Sequence, residues 1–357
     1  MRNFHKHKIM HNKRTSKLIT FEIIASATLA VFLLFFASVF EFRWTGPFDA
    51  APRLLAHASG QQSLEAKRLS DTVMPVRGEQ PRNFFHLAAL DPVSLSNESY
   101  RSAPALTAVS AVVIDRASGI VLFEKQQHKR WPIASITKLV TASILLDYRD
   151  KYAGDLLPVE IQAEDVEGGR NFFEPGDQVR WEDLFKTMLA GSSNTAARAL
   201  IRSTGMTESE WQKAINQKLL FWGLQKTQIR EVTGLSPGDI STAYEIGQIF
   251  DRSLERQEIR DALSAGIFTV YTVNTGKAVT VESTNLFLLG KITNPFLKPP
   301  VAKTGYIDES GFNMVARVTG DQGQELIVTV LGTATHFERF TEVTQLAQWA
   351  FSAYSWQ

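Results

Sequence analysis

The chain has 357 residues, no cysteine, and 38 basic against 37 acidic residues for a net charge of +1. That length allows one large domain or two small ones, and the missing cysteine excludes disulfides, thiol nucleophiles and Cys-based metal sites while suiting an oxidising compartment. With no basic block outside the N-terminus, the charge pattern also speaks against a nucleic-acid partner.

Arg2, Lys6, Lys8, Lys13, Arg14 and Lys17 come first, followed over 18–40 by an apolar run whose one charge is Glu22. Ile23–Phe40 is 18 residues, long enough to span a bilayer. The basic flank predicts a cytoplasmic tail over 1–17, a transmembrane helix over 18–40 and everything after it outside the cytoplasm. A cleaved signal peptide is the rival reading, but the run is long for one and Phe40-Glu41-Phe42-Arg43-Trp44 offers no small-x-small cleavage site. From 41 to 104 periodicity disappears, which predicts a stalk with a helical piece near Gln61–Arg68.

The folded part is expected over 105–357. Thr107–Asp115 reads as a buried strand, Arg116–Gly119 as a turn and Ile120–Lys125 as a second strand, together a hairpin. Pro132 precedes a helix that opens at Ser135-Ile136-Thr137-Lys138 and runs to about Asp147. It is apolar on nearly all sides (Leu139, Val140, Ala142, Ile144, Leu145, Leu146), the pattern of a buried central helix. Val166–Asp177 is polar and carries Gly168-Gly169 and Pro175-Gly176. Trp181–Leu189 is helical and stops at Gly191. Ser192-Ser193-Asn194 leads into a helix of small residues over Thr195–Ile201, where Ser192 and Asn194 taken alone read as helix caps. Glu231–Asp239 is a turn-rich loop, and Thr242-x-x-Glu245 is a candidate capping box. Phe268–Val273 and Lys277–Ser283 flank Asn274-Thr275-Gly276 as a second hairpin. Lys303-Thr304-Gly305 begins a strand, Phe312–Val318 and Glu325–Gly332 are further strands, and Phe337–Tyr354 is an amphipathic helix. The three C-terminal strands and the N-terminal hairpin would build a five-stranded antiparallel sheet from both ends of the chain. The central residues would form an all-helical region packed against it, an α+β fold with its site between the layers.

Ser135 and Lys138, three residues apart, share one helical face. The lysine sits at the positive helix end, where a cation is disfavoured, and burial also pushes its amine toward the neutral, proton-accepting form. A serine hydroxyl needs such a base within hydrogen-bond reach to become a nucleophile. An S-x-x-K arises by chance roughly once per few hundred residues, so the company it keeps must decide.

That company is an S-x-N at Ser192/Asn194 and a K-T-G at Lys303/Thr304/Gly305, in that order, the set found in serine penicillin-recognising enzymes. The chain resembles one branch closely, the D-alanyl-D-alanine carboxypeptidases of the low-molecular-mass penicillin-binding protein type, serine peptidase family S11. The likeness covers about Thr107 to Phe351. It includes Val113-Ile114-Asp115, Leu122–Lys125, Pro132–Lys138, Thr233-Gly234-Leu235, Ser241-Thr242-Ala243, Thr284-Asn285 and Lys303–Tyr306 followed by Gly311. The resemblance implies a β-lactamase/DD-peptidase-like fold and a serine D-Ala-D-Ala carboxypeptidase or DD-endopeptidase trimming peptidoglycan stem peptides, with β-lactams as covalent inhibitors. Ser135 would form the acyl-enzyme and Lys138 would take its proton. Ser192 would relay a proton to the leaving D-alanine, and Asn194 would bind a substrate amide. Lys303 and Thr304 would hold the terminal carboxylate, with Gly305 letting the substrate backbone lie close. The backbone N–H groups of Ser135 and Tyr306 would form the oxyanion hole. Arg339 falls where the family often has an arginine facing that carboxylate.

No cofactor is implied, and no histidine cluster such as H-E-x-x-H suggests a metal. A second S-x-N, Ser283-Thr284-Asn285, lies at a strand end rather than between two helices, which favours Ser192. The family's aspartate after S-x-N is Thr195 here, Pro299–Ala302 replaces its glycine-bearing turn before K-T-G, and the β-rich second domain of many relatives is not expected within these residues. The expected location is the cytoplasmic membrane, single-pass, with the catalytic domain outside. Two rival readings stand beside this one. A class A-like β-lactamase shares all three motifs and needs a water-directing glutamate, for which Glu231 is the candidate, although no E-x-x-L-N is present. A non-turnover penicillin-binding sensor or scaffold would acylate and stop. Carboxypeptidase and endopeptidase differ in groove shape rather than motif.

Overall fold

The strands expected at the two ends of the chain meet in one sheet. The computed structural model describes residues 92–94, 102–151, 158–166 and 168–356. The expected cytoplasmic tail, transmembrane helix and most of the expected stalk, including the helical piece near Gln61–Arg68, lie outside them. Among the described residues no helix is long and apolar enough to cross a membrane. Strands β1 (Ser110–Asp115) and β2 (Val121–Lys125) form the N-terminal hairpin. A separate hairpin pairs β3 (Ile267–Tyr271) with β4 (Ala278–Glu282). Then follow β5 (Val301–Ile307), β6 (Gly311–Thr319) and β7 (Glu325–Thr333). The main sheet is antiparallel with order β5-β6-β7-β1-β2, as the five-strand expectation required. Its closure is the β7–β1 pairing, from Leu326 opposite Asp115 to Leu331 opposite Ser110.

Side chains alternate across a strand, so each strand feeds two cores. Ala111 and Val113 of β1 join Met314, Ala316, Val328 and Val330 under α7 (Glu338–Ala353), packing on Phe340, Val343, Leu346 and Ala347. Val112 and Ile114 face the opposite way, into a larger core shared with the helical region. That region comprises α1 (Lys138–Lys151), α2 (Trp181–Ala190), α3 (Asn194–Ser203), α4 (Glu208–Phe221), α5 (Ala243–Ser253) and α6 (Gln257–Leu263).

Helix α1 runs through the middle of this core, and Leu139, Val140, Ala142, Ile144, Leu145 and Leu146 are all buried. Its buried hydroxyls are paired: Ser143 Oγ donates to Leu139 O at 2.9 Å and Thr141 Oγ1 to Val232 O at 2.7 Å. A buried hydroxyl satisfied in this way avoids the desolvation cost it would otherwise impose. Buried Glu342 of α7 accepts from Thr107 N at 2.6 Å, Thr107 Oγ1 at 2.7 Å and Ala108 N at 3.2 Å, tying the start of the folded region to its last helix.

Three local expectations change. Ser135 lies not in the α-helix but in a 3-10 turn, Ala134–Thr137, with α1 beginning at Lys138. Thr242 caps α5 by accepting from Glu245 N at 3.1 Å. Glu245 does not return the bond; its carboxylate accepts from Gln225 N, Lys226 N and Thr227 Oγ1, so the capping box is one-sided. Pro92–Ser94, within the stretch expected as stalk, pairs antiparallel with Tyr354–Trp356.

Candidate active site

The nucleophile segment is shaped before any catalytic side chain is placed. Ala134, immediately before Ser135, has φ +50, a left-handed conformation that costs a non-glycine residue roughly 1 kcal/mol or more. Two glycines brace it. A Cβ on Gly234 (φ +85) would lie 2.1 Å from Ala134 O, and one on Gly305 would lie 2.6 Å from Ile133 O and 3.3 Å from Ser135 N. Neither position admits a side chain while the turn keeps this shape, because the obstructing atoms are backbone. The Gly305 contact also lays the Ser135 peptide against β5 next to Tyr306, the two N–H groups expected for the oxyanion hole.

One turn on, Lys138 is fully buried. Its Nζ is 3.0 Å from Ser135 Oγ, 2.6 Å from Asn194 Oδ1 and 2.5 Å from Thr233 O. Asn194 Nδ2 donates to Gly168 O at 3.2 Å, which orients the amide so that its oxygen faces the lysine. Two of the three neighbours therefore only accept. As an ammonium, Lys138 donates to all three; as an amine, it gives its two N–H groups to Asn194 and Thr233 and turns its lone pair on Ser135 Oγ. Burial lowers the Lys138 pKa from 10.5 to about 7, opposed by Glu231, helped by Arg198 and opposed again by Asp239. Near neutrality both forms are populated, as a general base requires.

The second motif lies between α2 and α3. Ser193 is the helix cap, accepting from Ala196 N at 3.2 Å, so neither Ser192 nor Asn194 serves that purpose. Ser192 instead has φ +57 and accepts from Lys303 Nζ at 2.8 Å. Thr195, which replaces the family's aspartate, donates to Asn171 Oδ1 at 2.7 Å.

The third motif is the body of β5. Buried Lys303 also donates to Thr304 O at 2.8 Å. Its pKa is held well below the ordinary lysine value by burial first, then by Lys138, Arg339 and Arg170. Each of those charges is positive, which leaves the pocket short of an anion. Thr304 Oγ1 donates to Thr284 Oγ1 at 2.8 Å, and Tyr306, half exposed, stacks on Phe312 with ring centroids 4.3 Å apart. The Tyr306 hydroxyl donates to Asp308 at 2.6 Å. Arg339 is not a surface arginine: it is 4% exposed, donates to Gly305 O at 3.3 Å and lies over the rings of Phe312 and Phe340. Burial lowers its pKa to about 10, which leaves it charged at neutral pH.

All nine expected site residues thus gather around one junction of sheet and helices. The second S-x-N does not compete: Asn285 Nδ2 donates to Pro300 O at 2.8 Å and its Oδ1 accepts from Phe287 N at 3.3 Å, holding the approach to β5. Glu231 is equally committed, its Oε2 accepting from Thr233 N, Thr233 Oγ1, Gly234 N and Leu235 N. Sequence reasoning missed three contributors. The Thr233 carbonyl leaves no side-chain signal. Thr284 was legible only as part of a lead-in to the third motif. Asn313 sits opposite Gly305 at an irregularity in β6, donates to Pro132 O at 3.0 Å and accepts from Gly332 N at 2.8 Å, steadying the turn that leads to Ser135.

The family model described as D-alanyl-D-alanine carboxypeptidase, peptidase S11, matches residues 97–335. The D-alanyl-D-alanine carboxypeptidase DacF of Bacillus subtilis is 29% identical over 252 residues, 69% of this chain and 63% of that protein, so this chain spans less than two thirds of that relative's length. A D-alanyl-D-alanine endopeptidase of Pseudomonas aeruginosa is 29% identical over 245 residues, 68% of this chain and 77% of that one. Among solved structures, the Streptomyces K15 DD-transpeptidase aligns with a TM-score of 0.63 at 21% identity, over 71% of this chain and 100% of its own, a likeness of fold.

Proposed function

The chain belongs to the S11 peptidase family, the D-alanyl-D-alanine carboxypeptidases, and from that premise we propose that it is a serine acyl-transfer hydrolase releasing D-alanine from peptidoglycan stem peptides. The observation that carries the reading is Lys138 Nζ, 3.0 Å from Ser135 Oγ with both competing acceptors already in place.

The amine form of Lys138 takes the Ser135 proton as Oγ attacks the carbonyl between the two D-alanines, and the backbone N–H groups of Ser135 and Tyr306 receive the charge developing on that oxygen. The C–N bond breaks as the proton that Lys138 took passes to the departing amine through Ser192, which Lys303 holds at 2.8 Å, leaving Lys138 neutral again. D-alanine leaves and an ester remains on Ser135. Water then adds to the ester with its proton going to the same base, the C–O bond to Ser135 breaks, and Oγ regains its proton. The cation-rich pocket of Lys303, Arg339 and Arg170 suits the terminal carboxylate of such a peptide, and an arriving anion would raise the depressed Lys303 pKa and protonate it. β-Lactams, which offer a carbonyl and a carboxylate at similar spacing, would acylate Ser135 as inhibitors.

An endopeptidase would use the same chemistry on a cross-linked peptide. The β-lactamase reading loses support from Glu231, whose Oε2 is occupied by four donors within its own loop and so is poorly placed to direct a water. The proposal includes a membrane tether: the apolar run over 18–40 behind a basic tail would hold the enzyme on the outer face of the cytoplasmic membrane. Protease protection of the full-length chain in sealed vesicles tests that part; cleavage of the C-terminal domain on the cytoplasmic side would overturn it.

The enzymatic test incubates the full-length chain in detergent with fluorescent penicillin and, separately, with a pentapeptide ending in D-Ala-D-Ala. Long-lived label that requires Ser135, together with D-alanine release, is expected. Rapid loss of label would favour a β-lactamase, stable label without D-alanine release a non-turnover sensor, and no Ser135-dependent label would overturn the assignment.

A further inference from the structure

The mechanism uses Lys138 but not the acidic residue that organises its surroundings. Glu231 folds its own loop around one carboxylate oxygen. Oε2 accepts from Thr233 N at 3.0 Å, Thr233 Oγ1 at 2.8 Å, Gly234 N at 2.8 Å and Leu235 N at 3.1 Å. Consecutive N–H groups converging on one anion make a nest, and here the loop supplies its own anion. Three consecutive residues of this loop touch the segment that carries Ser135 and Lys138 or the helix that continues it. Val232 O accepts from Thr141 Oγ1 at 2.7 Å, Thr233 O accepts from Lys138 Nζ at 2.5 Å, and Gly234 packs against Ala134 O. The far end of the loop is fixed by buried Asp239, whose Oδ1 accepts from Arg230 N and Glu231 N and whose backbone O accepts from Ile133 N. Thus the carbonyl that takes one of the two N–H groups of the Lys138 amine is held in place by the loop that Glu231 nests.

We propose that Glu231 is a positioning residue for the general base: its carboxylate holds the Thr233 carbonyl on Lys138 Nζ and its charge sets the pH at which that amine becomes free to accept the Ser135 proton. This rests on the acyl-transfer reading above. The charged groups acting on Lys138 are Glu231 and Asp239 from the loop and Arg198 from α3, while Lys303 of β5 is itself held toward its neutral form by burial. Burial is the largest influence and lowers the lysine pKa; the two carboxylates oppose this and Arg198 reinforces it. Glu231 therefore keeps Lys138 basic enough to take a proton near neutral pH.

The test exploits the fact that all four loop bonds go to one oxygen, which the carbonyl of a glutamine can replace. Glu231→Gln keeps the acceptor and removes the charge; Thr233→Val removes one donor and keeps the charge. Second-order acylation of Ser135 by fluorescent penicillin is followed between about pH 5 and pH 9, with melting temperature recorded alongside. For Glu231→Gln the acid-side midpoint should fall by about half a unit to one unit, with a plateau within about tenfold of wild type. For Thr233→Val the midpoint should stay in place while the plateau falls several-fold. A Glu231→Gln profile that superimposes on wild type, whatever its melting temperature, overturns the charge role. A Thr233→Val enzyme identical to wild type overturns the positioning role. If Glu231→Gln does not fold, Glu231→Asp takes its place: its retracted charge and broken nest should lower both midpoint and plateau, and an unchanged profile overturns the proposal. Failure of the wild type to label at Ser135 would be a failure of the acyl-transfer reading itself, recorded before any variant is compared.

Discussion

Lys303 Nζ donates to Ser192 Oγ at 2.8 Å, and this one bond joins the sheet to the helical region across the reacting centre. Ser192 reaches it only because its φ is +57, with Ser193 taking over the cap of α3. A serine placed there for packing would have no reason for that conformation. Ser192→Ala should lower acylation by about 10²–10³-fold, because the leaving amine loses its proton route, while the melting temperature moves little. Single-turnover kinetics with the pentapeptide and a thermal scan would check both halves.

The Lys138 pKa of about 7 sets the pH dependence. Below it the ammonium donates to Ser135 instead of accepting from it, so acylation should fall about tenfold per pH unit on the acid side. Above it the lone pair faces Oγ and the rate should level off. Lys138→Arg, permanently protonated, should be inactive across the whole range while retaining a cation at the site. A flat wild-type profile between about pH 5.5 and pH 8 would show that another group is the base.

Asp239 offers a stability test. Burial raises its pKa from 3.8 to about 6, against hydrogen bonds from Arg230 N and Glu231 N that pull it down. Between those two values the folded state keeps a proton that the unfolded state has released, so this group's contribution falls as pH rises and its full cost is present above about 6. Asp239→Asn keeps Oδ1 for the two N–H donors and lets the Thr137 hydroxyl, 3.4 Å from Oδ2, become an acceptor. Urea unfolding should find the variant more stable by about 2 kcal/mol at pH 8, with the gain shrinking toward pH 4.

The two S-x-N motifs should separate cleanly. Asn194→Ala removes the Oδ1 that holds Lys138 at 2.6 Å and should reduce acylation by about 10²-fold or more. Asn285→Ala leaves Pro300 O without its buried donor and should cost about 1–3 kcal/mol of stability, with the folded fraction still acylating. Active-site titration of both variants, corrected for folded fraction, distinguishes the roles.

Gly234→Ala would place a methyl 2.1 Å from Ala134 O at φ +85. It should be destabilised by at least about 3 kcal/mol or lose acylation almost entirely as the Ser135 turn is displaced. Gly176→Ala is the control: its φ is +90 with no atom within 4 Å of the added Cβ, so it carries only the backbone strain, about 1 kcal/mol. Denaturant midpoints and penicillin labelling of the pair separate the clash from the strain.

What the sequence determined by itself is whatever depends on spacing along the chain. Serine and lysine three residues apart stand on one helical face wherever the helix is placed, and the strand-like segments at the two ends of the chain already implied the five-stranded sheet, though not its two cores. The order of S-x-x-K, S-x-N and K-T-G pointed to the chemistry because each motif is short enough to be read locally. Tertiary structure decided what depends on contact across the fold. Ser192, Ser193 and Asn194 are adjacent residues equally suited to capping a helix; only the approach of Lys303 and Lys138 from other elements divides their work. Arg339 is expected at the site only through the resemblance; its burial among Phe312, Phe340 and Gly305 belongs to the fold. Thr304 finds Thr284, and Asn313 reaches Pro132, across separations for which the sequence carries no period. The Thr233 carbonyl is a backbone group that any residue could supply, so its place on the Lys138 amine follows from the Glu231 nest and the bare faces of Gly234 and Gly305. Ser135 and Lys138 were legible as a pair because helical geometry joins them; the conditions that make the lysine a base, burial and two carbonyl acceptors, exist only once distant segments have packed around it.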